Sequence, residues 1–429
     1  MLYVNNKKSR GISLKVMLSS SIGTILEWYD FSLFAFLTPL LASNFFPQEN
    51  KTTGIIYTYA IFAIGFLARP IGAALFGHIG DRIGRKRTLI YSIVLMTLPT
   101  FLIGVLPTYK DIGIYAPILL ILLRLFQGLS AGGESTGAVL FVMENDSFKY
   151  RGMIGGILWG VVGIGMLLGS LAATMVTAFP EYPWAWRVPF ILGIFTGLIG
   201  YFLRRRTPEP LQFQKAQATG MLVKFPLYSG IKKYKIELLR IIGIYTLSAL
   251  ITYLVFVFMV GFAENTLGFP LHQVSSLSTF ALAGATCLMP LGGYLSDLIG
   301  RKRCLRWSAI CVLVLSYPLF VSISHGSLPN LVLTEIIFVL LASCYQGTIN
   351  AAVMEMLPTP VRYSLMAVGY NVAYSLFGGT APIVATYLVK ISADKAAPAL
   401  CLMFGALIAI LATTKMRETN KLIYSDVTI

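Results

Sequence analysis

The sequence predicts an all-α protein that crosses a membrane many times. Hydrophobic residues make up 56% of the 429 residues and charged residues only 12%, and the mean hydropathy is +0.75. Soluble chains are about 25% charged. The apolar runs are about 20 residues long, which suits helices that cross a bilayer better than the alternating segments of a barrel. Because lipid offers the backbone no hydrogen-bond partner, each run must form a helix.

About twelve apolar runs divide the chain into transmembrane helices. An even number of spans places both termini on one side of the membrane. If that side is cytoplasmic, it carries 27 of the 34 Lys and Arg residues, whereas the other side carries five. The basic N-terminus leads into a long span without a small-residue cleavage site, so we expect no cleaved signal peptide. The predicted spans lie near residues 13–41, 55–79, 88–107, 114–143, 152–178, 186–203, 237–263, 273–296, 305–323, 330–355, 363–390 and 397–414.

The charge balance excludes several classes of function. The net charge of +16 comes mainly from the predicted cytoplasmic side, and no soluble domain gathers it on a nucleic-acid-binding face. The chain has no GxxxxGK[ST] motif to bind ATP, and its three histidines are scattered at span ends. We therefore expect neither an enzyme nor a nucleic-acid partner, and no cofactor.

The cysteines point in the same direction. Their number is odd, they lie in or beside apolar spans, and they never form a CxxC pair. We expect them to be packing residues, with neither a disulfide nor a metal site. They are Cys287, Cys304, Cys311, Cys344 and Cys401.

Two segments of the first half recur in the second half. "GHIGDRIGRKR" at 77–87 returns 216 residues later as "GGYLSDLIGRKR" at 292–303, and "VMENDSFKYR" at 142–151 returns 211 residues later as "VMEMLPTPVR" at 353–362. Offsets near half the chain length predict two six-helix halves. The matched charged residues are Asp81 and Asp297, Arg85 and Arg301, Glu144 and Glu355, and Arg151 and Arg362.

The repeat also sets the predicted domain boundaries and a predicted gate. We place an N-terminal bundle at 1–203, a cytoplasmic linker at 204–236, and a C-terminal bundle with a short tail at 237–429. The aspartate of each repeated loop can accept from an opposing helix N-terminus, while the matched arginine can pair with Glu144 or Glu355. Such links would close the cytoplasmic side of an outward-open protein. A purely topological role would leave the aspartates and glycines unexplained.

These motifs resemble those of a known family. The Asp-x-x-Gly-Arg-Lys-Arg loops resemble the signature loop of the major facilitator superfamily, and the chain is similar to its metabolite:proton symporter branch along its whole length. Further similarity lies in "EWYDF" of the first span, "ARPIGA" at 68–73, "RLFQGLSAGGE" at 124–134 and "GYNVAYSLFGGTAP" at 369–382. The resemblance implies a monomeric bacterial inner-membrane protein that takes up a small metabolite, such as proline, betaine, shikimate, 2-oxoglutarate or citrate. The short tail lacks the coiled coil of osmosensing members.

Charged residues within the spans are candidates for proton coupling. Charges in a membrane are costly unless they are paired or reached by water. A carboxylate that alternately pairs with an arginine and parts from it can load and release a proton. Every such charge that we place near the midplane lies in the first half of the chain. The coupling candidates are Glu27, Asp30, Arg69, Arg124 and Glu134.

Polar and aromatic groups within the spans are candidates for substrate contact. Hydrogen bonds and cation–π contacts from such groups could orient a small solute. Because only two arginines lie within spans, a zwitterion or monocarboxylate is favoured over a dicarboxylate or tricarboxylate. The substrate candidates are Trp28, Gln127, Trp159, Tyr245, Tyr253, Gln346, Asn350, Tyr370, Asn371 and Tyr374.

Other interpretations remain open at this point. Each charged pair could be a static ion pair that fixes helix packing, and each tyrosine could be a packing residue or an interface anchor. Efflux by proton antiport would use the same fold. A non-transporting sensor would need an output domain, for which the linker and tail are too short.

Overall fold

A computed structural model describes residues 14–46, 51–144, 150–178, 181–324 and 326–419, and the regular structure of these residues is entirely helical. The predicted spans fall on single helices or on consecutive helical segments, with ends within four residues of those predicted. In the described part of the chain, nine helical stretches are long and apolar enough to cross a membrane. The helices are α1 (Leu14–Phe36), α2 (Thr38–Phe45), α3 (Lys51–Arg82), α4 (Arg85–Val105), α5 (Tyr109–Ile112), α6 (Tyr115–Met143), α7 (Arg151–Thr177), α8 (Arg187–Arg205), α9 (Leu211–Ala218), α10 (Pro226–Lys233), α11 (Lys235–Tyr253), α12 (Met259–Asn265), α13 (Leu271–Ile299), α14 (Arg301–Ser324), α15 (Leu328–Glu355), α16 (Thr359–Ala373), α17 (Ala381–Ser392) and α18 (Pro398–Thr414).

Two of the long spans contain a π-helical turn. Leu254–Phe258 joins α11 to α12, and Tyr374–Gly378 follows α16. Single π-turns are rare within α-helices and often mark functional sites. Here they follow Tyr253 and begin at Tyr374, whose rings lie 6.3 Å apart. The two irregular turns thus meet in the interior of the C-terminal half.

The helices form two bundles that meet along two seams. The first seam joins α7 to α13, and the second joins α3 to α16. At the first seam, Gly152 and Gly293 approach so closely that a Cβ on either would collide with the other's backbone. Small residues allow such close contact between helices in a membrane.

The predicted linker contains two short helices, α9 and α10. Helix α10 packs on α16 through Gly230 and Leu365. The predicted start at residue 204 differs from the structure, because α8 continues to Arg205 and Arg204 is 1% exposed inside the N-terminal bundle. Three consecutive arginines at 204–206 are typical of a solvated segment, but the side chain of Arg204 points into the bundle and pairs with the buried carboxylate of Glu134.

The outer surface of the bundles is apolar. Phe280 is 76% exposed and Leu411 is 69% exposed, as expected for side chains that face lipid. All five cysteines are free thiols; Cys304 and Cys401 are buried as predicted, whereas Cys287 is exposed and does not pack inside the bundle.

Candidate functional site

Glu27 and Arg69 form a fully buried ion pair between α1 and α3. The hydroxyl of Ser135 donates to the second carboxylate oxygen of Glu27 at 2.6 Å. The guanidinium carbon of Arg69 lies 4.4 Å from the ring centre of Phe31 and 5.1 Å from that of Phe66. Nε and Nη1 of Arg69 donate no hydrogen bond to any described residue. Arg69 therefore holds one carboxylate and keeps donors to spare.

Asp30 belongs to a separate and more fully bonded network. Its Oδ2 lies 3.0 Å from Nη1 of Arg124, and its Oδ1 accepts from Gln127 at 2.8 Å and from Thr100 at 3.1 Å. Arg124 also donates to Gln127 at 2.9 Å. Although Glu27 and Asp30 are three residues apart on α1, the structure gives each its own arginine.

Glu134 does not join either of these pairs. Its carboxylate pairs with Arg204 of α8 and accepts from the hydroxyl of Ser92 on α4. Arg124 and Glu134 lie ten residues apart on α6, so their side chains meet different neighbouring helices. Of the candidate carboxylates, Glu134 is thus the one whose ion-pair partner, Arg204, lies at the end of α8 beside the linker.

The aromatic candidates gather in one cluster opposite Arg69. The ring of Trp159 stacks on that of Tyr245 at 6.3 Å and lies edge-on to that of Tyr370 at 6.3 Å. Tyr370 and Tyr374 approach to 4.4 Å. Phe66, which contacts Arg69, lies 5.8 Å from Tyr253 at the edge of this cluster. The two bundles therefore meet at Phe66 and Tyr253, next to Arg69.

A small cavity lies between the bundles beside this cluster. Its volume is about 20 Å³, and its lining includes Ser135, Trp159, Tyr245, Asn350 and Tyr370. Such a volume accommodates a water molecule but not a metabolite. Ser135 also bonds to Glu27, so the cavity connects the buried carboxylate to the aromatic cluster. In this structure the two bundles pack against each other around this cavity.

The remaining polar candidates make fixed contacts in this state. Gln346 donates to Thr252 at 2.9 Å, inside the C-terminal bundle. Asn350 donates to the carbonyl of Gly155 at 3.0 Å, and Asn371 donates to the carbonyl of Gly132 at 2.7 Å, so both connect the two bundles. Trp28 is 4% exposed beside Arg69, and its Nε1 has no hydrogen-bond partner among the described residues.

The first repeated loop forms a buried network across the bundles. Arg85 lies 3.0 Å from Asp81 and 2.8 Å from Glu144, and Glu144 lies 2.7 Å from Arg362 of the other bundle. Asp81 accepts from the backbone N–H of Ser364 at 2.8 Å, near the start of α16. Burial favours a raised pKa of Glu144, but the guanidinium groups of Arg85 and Arg362 outweigh burial and hold that pKa below its ordinary value.

The second loop repeats the arrangement, with longer contacts to its glutamate. Arg301 lies 2.7 Å from Asp297 and 3.3 Å from Glu355, which lies 3.5 Å from Arg151 of the other bundle. Asp297 accepts from the backbone N–H of Gly152 at 2.9 Å, at the start of α7. The structure thus brings all eight predicted gate residues together on one face, which we call the loop side.

Two further carboxylates of the loop side were not among the predicted residues. Glu209 accepts from the backbone N–H groups of Arg85 and Lys86, and Glu418 accepts from those of Arg301 and Lys302. Each carboxylate therefore caps the helix that follows a repeated loop, where negative charge is favourable. The two glutamates are 209 residues apart, close to the offsets of the recognised repeats, and this spacing could have identified them.

One buried carboxyl group of the second half was not among the predicted site residues. Glu335 lies on α15 in the second half and is only 2% exposed. It lies seven residues from the helix start, and its apolar flanks gave no sequence signal that it turns inward.

Known proteins and protein families match this chain along most of its length. A family model described as sugar (and other) transporter matches residues 16–224, and one described as major facilitator superfamily matches residues 241–423. A putative proline/betaine transporter of Staphylococcus haemolyticus is 35% identical over 90% of this chain and 83% of its own length. The proline/betaine transporter of Escherichia coli K12 is 31% identical over 94% of this chain and 83% of its own length.

Solved structures show the same fold at lower identity. The proton:xylose symporter bound to 6-bromo-6-deoxy-D-glucose matches with a TM-score of 0.76 at 16% identity, covering 95% of this chain and 96% of that one. A partially occluded inward-open xylose transporter of E. coli matches with a TM-score of 0.70 at 16% identity, covering 96% of this chain and all of that one.

Proposed function

The chain belongs to the major facilitator superfamily and is a multi-pass membrane transporter, and on that premise we propose that it imports a small zwitterion together with protons. The observation that carries the proposal is the position of Arg69. Its guanidinium pairs with Glu27 and contacts Phe66, which lies against Tyr253 at the edge of the aromatic cluster, and it has one carboxylate partner and unused donors. It can therefore exchange a protein carboxylate for a substrate carboxylate.

The chemistry around Arg69 suits a substrate with one carboxylate and one ammonium group. The electron-rich faces of Trp159, Tyr245 and Tyr370 attract a cation, and a quaternary ammonium group is the cation such clusters bind well. The spare donors of Arg69 and the indole N–H of Trp28 suit the carboxylate. The names of the relatives, which are proline/betaine transporters, support this substrate class.

Proton coupling follows from competition for Arg69. When Glu27 takes up a proton, it no longer attracts the guanidinium, and Arg69 becomes available to the substrate carboxylate. When the substrate leaves, Glu27 loses its proton and the pair reforms. Asp30 with Arg124 is the second candidate for the same exchange, although Asp30 already accepts from Gln127 and Thr100.

Alternating access would involve rocking of the two bundles about this site. The loop-side networks hold the bundles together in the present state, and release of Arg362 and Arg151 from their carboxylates would allow that side to open. The positive-inside rule assigns the loop side, with both termini, to the cytoplasm. The cycle thus admits substrate from the opposite face and delivers it past the gate.

The test is transport in proteoliposomes under an inside-alkaline pH gradient and with the gradient collapsed. The substrates are labelled proline, glycine betaine, shikimate, 2-oxoglutarate and citrate. We expect gradient-dependent accumulation of a zwitterion, strongly lowered in Glu27→Gln but with counterflow exchange retained. Asp30→Asn is the parallel variant, and thermal unfolding of both verifies folding. Full accumulation in both variants would refute the assigned coupling. Accumulation only under the inverted gradient would indicate antiport and efflux.

A further inference from the structure

Glu335 is a buried carboxyl group that this mechanism does not use. It is 2% exposed, and its Oε2 has no hydrogen-bond partner among the described residues. No Lys or Arg of the described chain forms an ion pair with it. It lies seven residues, or about 10 Å of helix, from the α15 end that faces away from the loop side.

The immediate surroundings of Glu335 are apolar. Leu331 and Phe338 lie one turn before and after it and are fully buried. The ring of Phe338 lies 6.1 Å from that of Phe320 on α14, which lies 5.9 Å from that of Phe262 on α12. Phe338 thus belongs to a row of aromatic rings that runs from α15 through α14 to α12.

Few titratable groups lie on the neighbouring helices at this level. On α12, Glu264 is only half-buried near the helix end. On α14, Tyr317 donates its hydroxyl to the exposed Asp394. The side chain of His272 on α13 lies outside the described residues. Among the described residues, no cation is therefore placed to neutralise Glu335.

A second unpartnered polar group lies at the same depth. Helices α13 and α15 run parallel, and their register is fixed where the hydroxyl of Ser343 meets the carbonyl of Ala285 at 3.5 Å. Ser278 precedes Ala285 by about two helical turns, and Glu335 precedes Ser343 by about two turns, so the two residues lie at the same level. Ser278 is 8% exposed, and its hydroxyl has no hydrogen-bond partner among the described residues. The hydroxyl of Thr334, the residue before Glu335, also has no hydrogen-bond partner among the described residues.

An isolated carboxylate in such surroundings costs several kcal/mol, so the neutral acid is the stable form here. Glu335 shares a face of α15 with Gln346 and Asn350, which lie eleven and fifteen residues further along the helix. That face is directed to the interior of the protein, so water that enters from the side away from the loops would reach Glu335. We propose that Glu335 is a second proton-binding site, which exchanges its proton with that side as the bundles open. The inference rests on the proposed proton symport.

The experiment measures how many protons accompany each substrate. Proteoliposomes are held at zero membrane potential with valinomycin and equal potassium, and glycine betaine accumulation is read at equilibrium under a pH gradient of one unit. For a neutral zwitterion, one coupled proton gives about tenfold accumulation and two give about a hundredfold. We expect about a hundredfold for the wild type and about tenfold for Glu335→Gln.

Two controls separate a proton site from a structural residue. Gln resembles the neutral acid in shape, so a permanently protonated Glu335 would tolerate this change without effect on accumulation. Glu264→Gln alters a half-buried carboxylate of the same region and should retain the hundredfold ratio. Equal ratios for wild type and Glu335→Gln would overturn the inference while leaving symport intact. A wild type without proton-driven accumulation would overturn both.

Discussion

Replacement of Glu144 by Gln should open the loop side, and the structure indicates by how much. Glu144 contacts Arg85 of its own bundle at 2.8 Å and Arg362 of the other bundle at 2.7 Å. The Arg85 contact persists when the bundles separate, so only the Arg362 contact distinguishes the closed state from the open one. A charge-assisted hydrogen bond contributes about 1.5–3 kcal/mol, and a loss of about 2 kcal/mol changes the population ratio about 30-fold.

The second repeat provides a matched control. Glu355→Gln removes the corresponding contact, but Arg151 is 3.5 Å from Glu355 and is 12% exposed. A contact of 3.5 Å is too long for a strong charge-assisted hydrogen bond, so this variant should change the ratio less, by no more than about fivefold. The two variants therefore make the same chemical change at pseudo-equivalent positions with different expected effects.

Distances between spin labels report the populations directly. Ile83 and Leu298 are exposed at the loop-side ends of the two bundles and can carry the labels after the five native cysteines are replaced. Glu144→Gln should add a long-distance population that Glu355→Gln adds only weakly. Equal distance distributions for wild type and Glu144→Gln, with both proteins folded, would refute the assignment of this contact to the gate.

Three further predictions concern other parts of the molecule. Glu134→Gln leaves Arg204 buried without its charge partner and should lower the free energy of unfolding by about 3–5 kcal/mol while proton coupling is retained; lost coupling at unchanged stability in denaturant titrations would contradict this. Trp159→Leu should weaken glycine betaine binding about tenfold in thermal-shift titrations through lost cation–π attraction, and an equal effect on an uncharged analogue would argue against the cluster. Glu209→Gln weakens the cap of α4 and should lower stability by about 0.5–2 kcal/mol, with Glu418→Gln similar; no change in either melting temperature would exclude the caps.

The sequence by itself determined the fold class and the positions of the helices. Each span must satisfy its backbone internally and present apolar side chains to lipid, so the pattern within a single segment is sufficient to identify it. The two repeated segments identified the charged residues that meet on the loop side, because both copies of each segment retain their charges. These are properties of segments or of repeated segments, and they need no knowledge of how helices are arranged in space.

Only the tertiary structure decided which charges meet. Glu134 shares a helix with Arg124 but pairs with Arg204, which is 70 residues away along the chain. The sequence did not single out Glu335, and only the packing of α15 shows that it is buried and that its Oε2 has no partner among the described residues. Whether a charge is paired, bridging or isolated depends on which surfaces of neighbouring helices pack together. The sequence of a helix specifies which side chains share a surface, but not which helix packs against that surface.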